Sequence, residues 1–111
     1  MEWEGLGMNG AELIAAERQR QIDAEGWTAA HDDLHDECEL LDAALCYGGV
    51  AGSQILDGYG GAEAKEKMLE GWPWDRAWWK PSSDPIRNLV KAGALIAAEI
   101  DRLQRKAAGG V

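Results

Sequence analysis

Between Trp72 and Lys80 the chain reads Trp-Pro-Trp-Asp-Arg-Ala-Trp-Trp-Lys, so four of its six tryptophans share one short segment in a chain without phenylalanine. Arg76 and Lys80 lie in that segment, and Arg87 and Lys91 follow in the next helix. Indole rings beside cations suit a nucleotide, whose base stacks on a ring while its phosphate meets the positive charge. Trp27, Trp74, Trp78 and Trp79 with Arg76, Lys80, Arg87 and Lys91 are therefore the candidate ligand-binding residues. The same residues also have an architectural use. A buried tryptophan withdraws about 150–250 Å² from water, enough to staple a loop to a core, and Lys and Arg stems can cover the rings and stay solvated.

A second constellation is acidic. On a helix starting near Asp32, His31, His35 and Asp42 would fall within about 40° of one another, with Glu39 displaced by about 40° more. His35 and Glu39 are spaced i,i+4 and Glu39 and Asp42 i,i+3, a pattern able to hold a divalent metal. Asp32 and Asp33 also read as helix caps. Upstream, Leu13 and Ile14 are followed on one helical face by Glu17 and Gln21. Glu17 is thus either a ligand or catalytic carboxylate, or the partner of Arg20 or Arg102 at a contact. Glycine pairs at 48–49 and 60–61 lack the Lys-Ser/Thr of a phosphate-binding loop. Cys38 and Cys46, about 12 Å apart along one helix, are too far apart for a disulfide and have no evident base partner, so covalent catalysis finds no support.

These side chains need helices to position them. The expected organisation is a loose lead-in over 1–10, one helical domain over 11–106 and a tail over 107–111. The first helix should run from about Asn9 or Gly10 to Glu25, ended by Gly26. The second should run from about Asp32 to Tyr47, burying Leu34, Cys38, Leu41 and Leu45 and stopping at Gly48-Gly49. A glycine-rich loop, a short helix over 62–70 and the tryptophan loop come next. Ser82, Ser83 or Asp84 caps the last helix, Pro85 fits its first turn, and Ile86, Leu89, Val90, Gly93, Ile96, Ala97, Ile100 and Leu103 form its apolar stripe. No stretch alternates with period 2. The fold class is all-α: three main helices plus a short one.

The chain has 111 residues and a net charge of −9, which argues against a duplex nucleic-acid partner. No run of 18 apolar residues suggests a membrane span. Large aliphatic residues are sparse, so the chain should self-associate into a homo-oligomer. Free thiols point to a reducing cytoplasm.

Glu17-Arg-Gln-Arg-Gln-Ile22, Glu25-Gly-Trp27, His31-Asp-Asp33 with His35, Trp72-Pro-Trp74, Trp78-Trp79-Lys80-Pro81 and Leu89-Val-Lys91-Ala-Gly93-Ala-Leu-Ile96 occur in order. Together with Ala98-Glu-Ile-Asp-Arg-Leu103 this set resembles a small protein common in tailed bacteriophages and prophages, over about residues 11–105. The resemblance implies the cytoplasm of an infected bacterium. More distantly the chain is similar to MazG-like all-α nucleoside triphosphate pyrophosphohydrolases, in which an ExxE and an ExxD motif hold magnesium around a triphosphate. Glu39-Leu-Leu-Asp42 has the ExxD form. Glu12 and Glu17, about 140° apart around their helix, do not form the other.

Three functions follow as expectations. One is capture of a nucleotide or nucleotide-derived signal, countering host defence. Another is magnesium-dependent nucleotide pyrophosphohydrolysis, with Glu17, Glu39 and Asp42 on the metal, His35 positioning water, and Lys91 or Arg87 neutralising phosphate. The last is protein binding through the tryptophan loop.

Overall fold

The computed structural model describes residues 7–57 and 62–109, and the chain is all-α, with no strand among them. Helix α1 spans Gly10–Glu25, α2 Ala29–Asp32, α3 Glu39–Asp57, α4 Ala62–Leu69 and α5 Pro85–Ala107, with a 3-10 turn at Arg76–Trp78. The expected 48–62 loop falls partly on residues 58–61, outside the described set.

The ends of α1 and α5 follow local chemistry. Asn9 and Glu12 form a reciprocal capping box at the start of α1, and Gly26 ends the helix in the left-handed conformation at φ 73°. Asp84 accepts the Ile86 N–H ahead of Pro85 at the start of α5.

The second expected helix is corrected at both ends. Residues 29–32 form a separate turn capped by Thr28, which accepts the His31 N–H. Asp32 and Asp33 cap no long helix. Asp32 pairs with Arg18 of α1 at 2.9 Å and Asp33 with Arg105 of α5 at 2.7 Å, tying this turn to both helices. Cys38, at φ 75°, turns it into α3. The helix then runs through Gly48-Gly49 to Asp57. A side chain at Gly49 would collide with the Met68 sulfur, so glycine there admits α4.

The buried face of α3 also differs from the expected one. Leu40, Ala43, Ala44, Tyr47, Val50 and Ala51 are buried, whereas Leu34, Cys38, Leu41 and Leu45 are exposed. Alanines let α3 approach α5 closely, where Ala92, Leu95 and Ala98 meet it. On α5 the expected stripe is likewise outside: Ile86, Leu89, Ile96, Ile100 and Leu103 all remain exposed, while Val90 is buried. Gly93 receives Ile14 of α1, whose side chain would lie 2.5 Å from any added Cβ.

Polar groups complete the frame. Asn88, fully buried, donates to the Gln54 carbonyl oxygen (Oε1) at 2.9 Å and to the Ser82 backbone carbonyl at 2.8 Å, and its own Oδ1 accepts the Ser82 N–H. This knot holds the segment after the tryptophans onto α3 and α5.

Candidate functional site

The tryptophan segment divides into two parts. Trp72 is only 8% exposed, packs edge-on against Tyr47 and donates its N–H to the Asp75 carbonyl at 3.1 Å. Trp79 lies 4.9 Å from both Tyr47 and Trp72 and donates to the Lys65 carbonyl of α4. These two rings staple the loop to α3 and α4, which sets Trp79 apart from the cleft that Trp74 and Trp78 line.

Trp74 and Trp78 face the other way. With Trp27, His31, His35, Glu25 and Asp75 they line a cleft of about 370 Å³. Each wall has a local cause. The left-handed turn at Gly26 carries Trp27 off the end of α1, where the Trp27 carbonyl accepts from Arg18. The α2 turn sets the His31 ring parallel to the Trp27 indole, with 6.2 Å between centroids. His35 follows in the connection to α3, 4.9 Å from His31 and 5.1 Å from Trp74. Asp75 caps the 3-10 turn by accepting the Ala77 N–H at 2.8 Å, and Trp78, 51% exposed, stands at the far end of that turn.

A narrow neck of about 40 Å³ shares Glu25, Trp27 and Trp78 with this cleft and adds Glu17, Arg20, Gln21, Tyr47, Lys80 and Lys91. Here the cations gather. Lys91 donates to the Lys80 carbonyl at 2.7 Å, and its ammonium lies 5.2 Å from the Tyr47 ring centroid. Lys80 sits 5.6 Å over Trp78. Burial, reinforced by the neighbouring Arg87 guanidinium, lowers Lys91 to about 8. Burial also raises the Tyr47 hydroxyl to about 12.

Glu17 is the anchor of the neck and is 3% exposed. It accepts from Arg20 at 2.8 and 2.9 Å and pairs with Arg87 at 2.7 Å. Burial raises its carboxyl, but the hydrogen bonds and charges of the two arginines outweigh it and hold the group below the usual range. Arg102, the other candidate partner, binds Glu99 at 2.6 Å instead.

The expected metal set is not assembled. Glu17 is held by two guanidinium groups, and neither Glu39 nor Asp42 lines the cleft or the neck. Glu39 accepts the Glu37 N–H and lies 3.5 Å from His35 at the start of α3. Among the described residues no group of three or more His, Cys, Asp or Glu side chains is arranged to hold a metal ion.

The candidate ligand residues thus separate. Trp27, Trp74 and Trp78 form the cleft, Lys80 and Lys91 the neck, and Arg87 stands behind Glu17. Arg76 and Trp79 line a different hollow, beside Lys65 and Pro81. Glu25, Asp75, Arg20 and Tyr47 were not singled out as ligand residues from sequence. The only signal for the first two was adjacency to Trp27 and Trp74.

The polar atoms left without a hydrogen bond cluster here as well. Among the described residues, Arg18 Nε, Gln21 Oε1 and Trp74 Nε1 are buried without a hydrogen bond, and His31 Nδ1 and Asp32 Oδ1 face each other across 3.6 Å, beyond hydrogen-bond distance. His31, Trp74 and Gln21 line the cleft or neck, and Arg18 and Asp32 pair directly behind Trp27 and His31. Such groups each cost about 1–3 kcal/mol and concentrate where function, not stability, sets the arrangement.

No protein-family model matches the chain, and no curated protein or solved structure shows significant similarity to it.

Proposed function

We propose that this chain binds a small planar heteroaromatic anion of the nucleotide class. The carrying observation is the junction of the cleft with the neck. Open indole and imidazole faces end where Lys80 and Lys91 stand, in a chain whose net charge is otherwise −9. In the neck, Lys80, Lys91 and Arg20 outnumber Glu17 and Glu25, and Arg87 adds a further positive charge from behind. A base stacked on Trp78 or Trp74 gains about 1–3 kcal/mol, and a phosphate reaching the neck replaces water around a partly desolvated ammonium. Glu25 and Asp75 offer acceptors at the ring edge, which favours bases bearing amino groups over uracil or thymine. The combined volume lies in the range of small-molecule sites.

The reading is one of capture, since the cleft and neck present ring faces and charges suited to holding a ligand. The phage resemblance of the sequence supports placing it in an infected bacterium, where holding a nucleotide-derived signal would deny it to the host. Titration calorimetry against mono-, di-, tri- and cyclic nucleotides tests the reading. Binding with the ligand recovered intact is expected, with adenine, guanine or cytosine compounds ahead of uracil ones. Silence across the panel removes the proposal.

One observation favours a second occupant. Within the cleft proper the charged side chains are carboxylates, and an aromatic box rimmed by Glu25 and Asp75 also suits an organic cation. A quaternary ammonium ligand in the same titrations separates the two, since only the anion depends on Lys91.

A further inference from the structure

The stripes that a reading of the sequence assigns to the core lie on the outside of the fold, and they lie together. On α3, Leu41 and Leu45, joined further along by Ile55 and Leu56, are each at least 37% exposed, reaching 85% at Leu56. On α5, Ile86, Leu89, Ile96, Ile100 and Leu103 are each at least 43% exposed. The two helices pack directly on one another. The aromatic loop meets α3 at Tyr47 and α5 at Lys91, and α4 joins α3 at Cys46 and Gly49. At 100° per residue, the α5 stripe is centred about 160° round its helix from Lys91, and Leu41 and Leu45 lie about 100° or more from Cys46. Both stripes therefore turn away from the tryptophan loop, bordered by α1 where Ile14 meets Gly93 and by α4 where Met68 meets Gly49, and their side chains remain in water.

We propose that this flank is the seat of a second copy of the chain, making a two-fold dimer in which two α3–α5 pairs close into a four-helix layer. Area is the first argument. These nine side chains leave on the order of 900 Å² in water, beyond the few hundred Å² of apolar patch usual on a monomer and close to the roughly 800 Å² per partner of a standard interface. Charge is the second. Each copy carries −9, so a contact free of carboxylates is the one that adds no local like-charge pairs to the overall repulsion. The stripe positions on both helices hold only Leu, Ile, Ala and Gly, with Glu99 and Asp101 displaced to either side on α5. An uncharged patch is self-complementary under two-fold symmetry, as an isologous contact requires. Length is the third. The stripes run about 22–26 Å along their helices, the length of a bundle face. This inference is independent of the ligand reading, since the cleft opens on the other flank.

Light scattering coupled to size-exclusion chromatography on the full chain tests it. The wild type should elute at twice its 12.1 kDa chain mass. Ile96→Glu and, separately, Leu45→Glu should halve that mass while leaving the helical circular dichroism unchanged, because both side chains are exposed in the single copy. Ile96→Leu should keep the dimer, as should Trp78→Ala on the opposite flank. A wild-type chain of 12.1 kDa at about 100 μM, well above the working range of a stable dimer, overturns the proposal. So does a dimer that survives both glutamates, or one lost in Trp78→Ala.

Discussion

Trp72 and Trp74 are two residues apart and pack edge-on at 5.3 Å, yet one is closed into the core and the other also lines the cleft. Trp72, with Trp79, is wedged between α3 and α4, its ring against Tyr47 and its N–H satisfied by Asp75. Trp74 turns to the cleft with its N–H unpartnered among the described residues, and Trp78 beyond it is half exposed. One half of the segment lowers the free energy of the fold, and the other half spends that rigidity on holding ring faces open. Composition is shared, so what separates them is whether a helix lies opposite each ring.

The largest effect that could break this contrast is on stability. Trp72→Ala should cost about 3–5 kcal/mol through the cavity it leaves, read as a lowered midpoint in urea unfolding. Trp78→Ala should move that midpoint little. If the two variants unfold alike, the division of the segment is wrong.

Asn88→Ala comes next. It removes the Asn88 bonds to the Ser82 N–H and to Gln54, costing about 1–3 kcal/mol by the same unfolding measurement. Hydrogen exchange should quicken at Ser82 before it does in the middle of α3, because the knot holds the strap and not the helix.

Trp78→Ala should weaken nucleotide binding by about 1–3 kcal/mol in calorimetry. Trp79→Phe, which keeps a ring in the stapled half but loses the bond to Lys65, should alter affinity far less. Equal losses would place both rings in the site.

The smallest effect is electrostatic and sharpens the role of the neck. Lys91 is held near 8, below its ordinary 10.5, so it loses its proton as pH rises through about 8. Affinity for a phosphorylated ligand should fall across that range while affinity for the bare nucleoside stays flat. A bound anion favours the charged form, so binding near pH 8 should take up protons, seen as different calorimetric heats in buffers of different ionisation enthalpy. Lys91→Met should abolish both effects. The sign for stability is separate: a depressed lysine binds fewer protons folded than unfolded between about 8 and 10.5, so this group alone makes the fold more stable as pH rises through that window.

How far the sequence could be read depends on the range of the interactions concerned. The starts of α1 and α5 were legible because Asn9-x-x-Glu12 and Asp84-Pro85 act within one turn of themselves. The break at Asp32-Asp33 was not, since their partners Arg18 and Arg105 lie in other elements. Glu17 stood out as a charge on an apolar face, but nothing local distinguished a metal ligand from a carboxylate clamped by Arg20 and Arg87. The aromatic and basic residues of the candidate site were all visible as types. Their division among cleft, neck and a separate hollow followed from the path of the loop over α3 and α4.

By itself the sequence determined an all-α chain, both ends of α1, the start of α5, and the concentration of indoles beside cations. Tertiary structure decided which face of α3 is inside. Leu41 and Leu45 repeat at helical spacing, and so do Leu40, Ala43, Ala44 and Tyr47, and periodicity cannot choose between two such stripes. Close approach to α5 favours the stripe of small residues, since alanines let the backbones come together and the leucines would hold them apart. Burial belongs to pairs of surfaces, so it emerges only once the helices have met.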